Sequence, residues 1–201
     1  MTSQERKKLS LNHQEPDRVP FDLGGIVSGI TRIAHQNLLK TLGYDVPSEE
    51  IIIDRIQQLV LPDHRILENF KIDTRYAYME VPQHIWKKDA PNSIWIDEWG
   101  ITRRFTGLYF DMMNHPLAQV ESLTDLQKFS WPDPHLNQEI YNDLQSQVQI
   151  IRQSGKAVIV NVIGSCFEFS WYLRGFEHLL VVSSISCLNS RLGNLKSFSI
   201  G

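Results

Sequence analysis

Apolar residues recur along this chain at two different periods, and the alternation between them sets out the expected elements. From Ser28 to Leu42 they fall at Ile30, Ile33, Ala34, Leu38 and Leu42, a helical spacing. Ser28 is a suitable cap for that helix and Gly43 a suitable stop. Pro62 opens a second helix with Ile66, Leu67 and Phe70 on one face. A short helix starts at Ser122, whose pattern with Asp125 resembles a capping box. Between Asn137 and Gln153, the stripe Ile140, Leu144, Val148 and Ile151 faces a glutamine-rich wet side, so an amphipathic helix closed by Gly155 is expected.

The β-type segments lie between these helices. Glu15-Pro16-Asp17-Arg18 is a turn leading into Val19–Leu23, a short candidate strand that tolerates Pro20 near its start and ends at Gly24-Gly25. Lys71–Val81 is rich in aromatic and β-favouring residues and predicts a strand before Pro82. Ile94–Phe105 and Leu108–Met113 predict a hairpin joined at Thr106-Gly107. Trp131-Pro132-Asp133-Pro134 breaks the chain. The continuous run Ala157–Ile163 follows a helix, as a strand buried on both faces of a parallel sheet does. Gly164-Ser165 then turns the chain into a helix from Phe167 to about Leu180. Strand–helix alternation around an inserted hairpin predicts an α/β architecture with a parallel sheet. There is no internal repeat. Residues 181–201 contain six serines and no acid, and are expected to form a divergent tail outside the 1–180 fold.

Composition narrows the function classes. The 201 residues carry 20 Lys+Arg and 23 Asp+Glu, a net charge of −3, so nothing draws the whole chain to nucleic acid or anionic lipid. No apolar stretch is long enough to span a membrane. The first residues are polar, Arg6-Lys7-Lys8 fits a solvated helix turn, and the two cysteines, Cys166 and Cys187, suit a reducing cytoplasm. No Cys-x-x-Cys, His-x-x-x-His or His-x-Cys pattern offers a local nucleus for a metal site, so no metal is expected in this chain.

Several residues can carry chemistry. Glu80 ends the strand after Tyr76 and Tyr78, where a carboxylate beside aromatic rings suits acid/base work. Asp22 is similarly placed on the first candidate strand. Either is also consistent with a solvated loop acid. Gly24 and Gly25 let a ligand approach the backbone or simply make a tight turn. Asp97-Glu98 is read as structural, because adjacent strand residues face opposite ways. Cys166 sits at a helix start, where a thiol can be reactive, but no partner is dictated by the sequence.

Five stretches resemble the uroporphyrinogen decarboxylase superfamily, which also holds corrinoid-dependent methyltransferases. They are Leu11–Pro20 (LNHQEPDRVP), Ile66–Arg75 (ILENFKIDTR), Asp97–Gly100 (DEWG), Phe129–Pro134 (FSWPDP) and Tyr172–Glu177 (YLRGFE), in that order. The resemblance implies a β/α barrel with its site at the carboxyl mouth of the strands, of which this chain would be the first part: a partial barrel. A complete barrel usually needs ~250 residues. It implies a small-molecule substrate or a corrinoid protein as partner, Glu80 as the acidic site residue, and Asp22, Gly24 and Gly25 shaping the mouth. Trp171 stands where the family has a site tyrosine. Phe21–Val27 lacks the arginines with which the haem-pathway enzyme holds substrate carboxylates. Decarboxylation in the name-giving enzyme needs no cofactor. Corrinoid and zinc would enter only with ligands from the family's C-terminal half. A partial barrel leaves a strand edge uncovered, so self-association is expected, and no turnover is expected from residues 1–201 alone. The alternative is a catalytically inactive remnant or a half-barrel interaction module.

Overall fold

The computed structural model describes residues 1–78, 92–133, 138–161 and 164–184. The expectation for Glu80, and those for Cys187 and the end of the tail, lie outside these residues. The described chain is mixed α/β with three small sheets, none of them closed into a barrel. The described residues divide into two compact units, those within 1–92, 105–110 and 133–163 forming the first and those within 93–104, 111–132 and 164–184 the second.

The first unit begins with α1 (Ser3–Leu11), started by a capping box in which Thr2 accepts from the Glu5 amide and Glu5 accepts from the Thr2 amide. Arg6 is not solvated as its basic neighbours suggest. It is buried and bridges Asp17 and Asp73, with Nε 2.6 Å from Asp17 Oδ1. Arg18 also holds Asp73, at 2.7 Å, and the Phe21 amide donates to the same carboxylate. Two guanidiniums and an amide thus satisfy a fully buried acid at the amino end of a strand. Residues 19–23 form no strand. Their backbone pairing is one bond, from the Asp73 amide to the Phe21 carbonyl.

A three-stranded antiparallel sheet follows in the order β1 (Ile30–Thr31), β3 (Leu59–Val60), β2 (Ile52–Asp54). It takes up Ile30, which the helical spacing had included, so α2 runs only over Arg32–Thr41, and its cap is Thr31 in place of Ser28. The inward face differs too. His35 and Leu39 are buried, while Ile33 is 53% exposed. Gly43 ends the helix as expected: its φ is +73°, and Gly43 and Tyr44 amides return to Lys40 and Leu39 carbonyls. Helix α3 (His64–Asn69) is capped by Asp63, and Ile66 and Leu67 are buried, but Phe70 is half-exposed.

The parallel pair is β4 (Thr74–Ala77) and β8 (Ala157–Val160), in register from Thr74↔Ala157 to Ala77↔Val160. Helix α5 (Gln138–Gln153) packs on both strands through its predicted stripe. That stripe is half-buried throughout, and Val160 is 41% exposed, so β8 is not buried on both faces as its apolar run predicts.

The expected hairpin is a three-stranded meander of β5 (Ile94–Ile96), β6 (Thr102–Phe105) and β7 (Phe110–Met112). The extra turn is Asp97–Gly100, where Gly100 adopts φ +71°. Asp97 is therefore a turn residue, not a strand residue. Buried, it accepts from the Trp99 and Ile101 amides and from Arg103 Nε at 2.8 Å. Helix α4 (Leu123–Gln127) starts at Ser122. Helix α6 (Cys166–Arg174) is capped by Ser165 and interrupted at Gly175, φ +88°, after which residues 176–184 are helical again. Ile101, Leu117 and Leu173 form the core of the second unit, with Trp99 and Tyr172 packed on it.

Candidate functional site

Alternate residues of a strand share a face, so Thr74, Tyr76 and Tyr78 line one side of β4 and its carboxyl extension. The segment before Gly24 delivers Asp22 to that side. One Asp22 oxygen accepts the Thr74 hydroxyl, and the other accepts the Tyr76 phenol at 2.8 Å. Ser28 Oγ lies 3.0 Å from Tyr76 Oη and within 3.4 Å of the Gly25 amide. Tyr78 donates to the Gly24 carbonyl at 2.8 Å, and the two tyrosine rings stack 6.3 Å apart.

Burial pushes the Asp22 carboxyl up, but hydrogen bonds from Thr74, Tyr76 and Ser28, with the Lys7 charge behind them, overcome this and hold it below the usual aspartate value. The Tyr76 phenol is pushed up to about 12, by burial first and by Asp22 beside it. Burial raises the Tyr78 phenol further. At neutral pH the cluster is therefore one anion among protonated donors. Asp22 is itself an exposed residue.

The two glycines have a definite task here. Gly25 lies flat against the Tyr76 ring, and a Cβ there would come within 2.6 Å of ring carbons. Gly24 has φ +126° and would also crowd Tyr76. Their close approach presses the loop onto the tyrosines and fixes the hydroxyl that binds Asp22. Of the expected residues, then, Asp22, Gly24 and Gly25 come together around Tyr76 and Tyr78. Trp171 belongs to the second unit, half-buried on α6, with its ring edge-on to Tyr172 at 4.3 Å and to Phe176 at 6.1 Å. Cys166 is exposed and free.

Sequence reasoning missed a buried polar pair. His35 Nδ1 lies 2.6 Å from Glu50 Oε1, and its Nε2 accepts the Asp63 amide at 3.0 Å. Gln36 donates to the second Glu50 oxygen. An acceptor at Nε2 leaves the ring proton at Nδ1, so this histidine is a fixed structural connector between α2, the Glu50 loop and the start of α3. The signal available was weak: a histidine four residues before Leu39 in a helical segment.

A cavity of about 400 Å³ lies beside the exposed face of α2 and the 105–109 turn, lined by Arg32, Ile33, Asn37, Gln58, Leu108 and Tyr109. Among the described residues no group of three or more His, Cys, Asp or Glu could hold a metal ion, and no helix is long and apolar enough to cross a membrane. No family model, curated protein or solved structure matches the chain.

Proposed function

We propose that this chain is the opening part of a β/α barrel of the uroporphyrinogen decarboxylase type, and that Asp22 is the carboxylate that holds its substrate. The observation that supports this reading most is the anionic Asp22 set among protonated donors on the Thr74–Tyr76–Tyr78 face of β4, which pairs parallel with β8. Parallel α/β sheets bind ligands beyond the carboxyl ends of their strands, and Tyr78, one residue past the end of β4, carries the cluster in that direction.

The substrate class follows from the acceptor. A carboxylate with its own donors already supplied by Thr74 and Tyr76 has acceptor capacity left for an N–H of the ligand. When a proton adds to an electron-rich N–H heterocycle, positive charge reaches the ring nitrogen, and an accepting carboxylate stabilises that state more than the neutral one. Departure of CO2 then returns an electron pair to the ring. In this reading Glu80 is the proton donor. The absence of arginine from Phe21–Val27 favours a substrate with few carboxylates over a tetra-acidic porphyrinogen. Methyl transfer to or from a corrinoid protein, the superfamily's other chemistry, would draw its ligands from the family's C-terminal half.

The test compares pyrrole-2-carboxamide with its N-methyl analogue by NMR titration into the full chain. Perturbation of Asp22 and Tyr76 resonances by the N–H compound, its absence with the N-methyl compound and its loss in Asp22→Asn support the reading. Equal responses to both ligands contradict it.

A second reading, the half-barrel interaction module, is favoured by α5, which has no fully buried residue. A surface of this kind closes on a second copy or another protein. Sedimentation of the full chain separates the two. A discrete dimer that binds no pyrrole favours the module.

A further inference from the structure

Away from the Asp22 cluster, at the amino end of β8, a shallow groove of about 530 Å³ opens between α1 and α5. Its walls are cationic. Lys7 and Lys8 are consecutive residues of α1, Arg152 comes from the last turn of α5, and Lys156 is the residue before β8. Among the described residues, no acidic side chain lines it. This is a local excess of positive charge on a chain whose net charge is −3.

Among the described residues, Lys7, Lys8 and Arg152 have no carboxylate within salt-bridge distance. Lys156 is partly engaged, donating to the Ile72 carbonyl at 3.1 Å with Glu68 3.5 Å away. Lys7 is also within electrostatic reach of Asp22. Converging cations repel one another unless an anion lies between them. The two walls are nonetheless fixed together. Gln4 Nε2 donates to the Arg152 carbonyl at 2.8 Å and to the Lys156 carbonyl at 3.1 Å, tying α1 to the end of α5. A site held open in this way costs less to occupy than one that must be ordered on binding. The floor is apolar, formed by Leu11, Val148 and Val158, and Leu11 is 70% exposed.

We propose that this groove binds a small amphiphilic polyanion, its phosphate or carboxylate groups between Lys8, Arg152 and Lys7 and its apolar body on Leu11, Val148 and Val158. The proposal is independent of the function assigned to Asp22 and stands or falls without it. Charged rim and apolar floor together set the specificity: inorganic polyanions use only the first.

The experiment titrates the full chain with adenosine triphosphate, benzene-1,3,5-tricarboxylate and inorganic triphosphate, reading affinity by calorimetry and location by NMR. Expected is tighter binding of one or both amphiphilic probes than of inorganic triphosphate, with shifts at Leu11, Val148 and Val158. Which of the two binds distinguishes phosphate from carboxylate as the anionic group. Affinity should fall roughly tenfold in Arg152→Glu and in Lys8→Glu, and with added salt, because each change removes charge attraction. Both variants alter exposed side chains, and their circular dichroism and melting are checked first. Unchanged affinity in two folded variants, equal affinity for triphosphate and the amphiphilic probes, or shifts confined to other surfaces would overturn the proposal.

Discussion

Gln147 brackets the backbone of Tyr78: its Oε1 accepts the Tyr78 amide and its Nε2 donates to the Tyr78 carbonyl, each at 3.0 Å. A single side-chain amide thus does for Tyr78 what a neighbouring strand does for β4. It anchors α5 to the residue that carries the outer tyrosine of the Asp22 cluster. Replacing Gln147 with Ala removes two part-buried hydrogen bonds and should cost roughly 1–2 kcal/mol. Gln147→Glu keeps the acceptor but turns a carboxylate oxygen toward the Tyr78 carbonyl, and should cost at least as much. Chemical denaturation measures the loss, and hydrogen exchange should show the Tyr78 amide deprotected in both variants.

Gly25→Ala tests the contact that presses the glycine loop onto the site. The new methyl meets the Tyr76 ring at 2.6–2.7 Å, so the ring must move. Overpacking of this kind costs roughly 1–3 kcal/mol. The Tyr76–Asp22 bond should lengthen or break, which would appear as a changed tyrosine absorbance and a weaker response to an N–H ligand. A variant with unchanged melting and unchanged ligand response would show that the loop is not fixed by this contact.

Acid should destabilise the fold in a defined window. Hydrogen bonds from Arg6 and from Arg65 hold Asp17 and Asp63 down to about 2, against an ordinary value of 3.8. Asp73 is pushed up by burial but held down overall by the Phe21 amide, Ser3, Arg18 and Arg6. A carboxyl depressed in the folded state contributes stability that is complete above its unfolded value and lost as pH falls through its folded value. Thermal stability should therefore be flat from neutral pH to about 4 and fall between about 4 and 2. Asp63→Asn should reduce the size of that fall. A loss that begins near pH 6 would point to other groups.

His35→Ala should be among the most damaging single changes in the first unit. It strips Glu50 of one buried partner and the Asp63 amide of its acceptor. Removing one member of a buried polar pair costs roughly 3 kcal/mol or more. In the wild-type chain, ¹⁵N spectra of the imidazole should show the proton on Nδ1.

How much of this was legible follows from the range of each interaction. Local signals held where the chain settles matters within a few residues. Gly43 and Gly155 close α2 and α5, Ser122 starts α4 and Ser165 starts α6. The parallel character of Ala157–Val160 was also readable from its unbroken apolar run. Long-range pairing misled local readings. Residues 19–23 look like a strand, yet Asp73 claims the Phe21 amide and carbonyl and leaves no ladder. Arg6 looks like part of a solvated turn, yet two acids, 11 and 67 residues away, bury it. Ile30 belongs by spacing to a helix and by pairing to Val60. At the site, Asp22 and the glycines were identifiable singly. Their assembly was not, because Thr74 and Tyr76 reach Asp22 across 52 and 54 residues of sequence. The spacing of Thr74, Tyr76 and Tyr78 along one strand face was the available clue.

The central claim is that Asp22 is an anion fixed by Tyr76 and Thr74 on one face of β4. A pH titration of the Asp22 carboxyl carbon by ¹³C NMR in the full chain addresses it most directly, with Tyr76→Phe as comparison. The expected result is an inflection below 3.8 that moves upward when the Tyr76 hydroxyl is removed. An inflection at or above the ordinary aspartate value, indifferent to Tyr76, would contradict the claim.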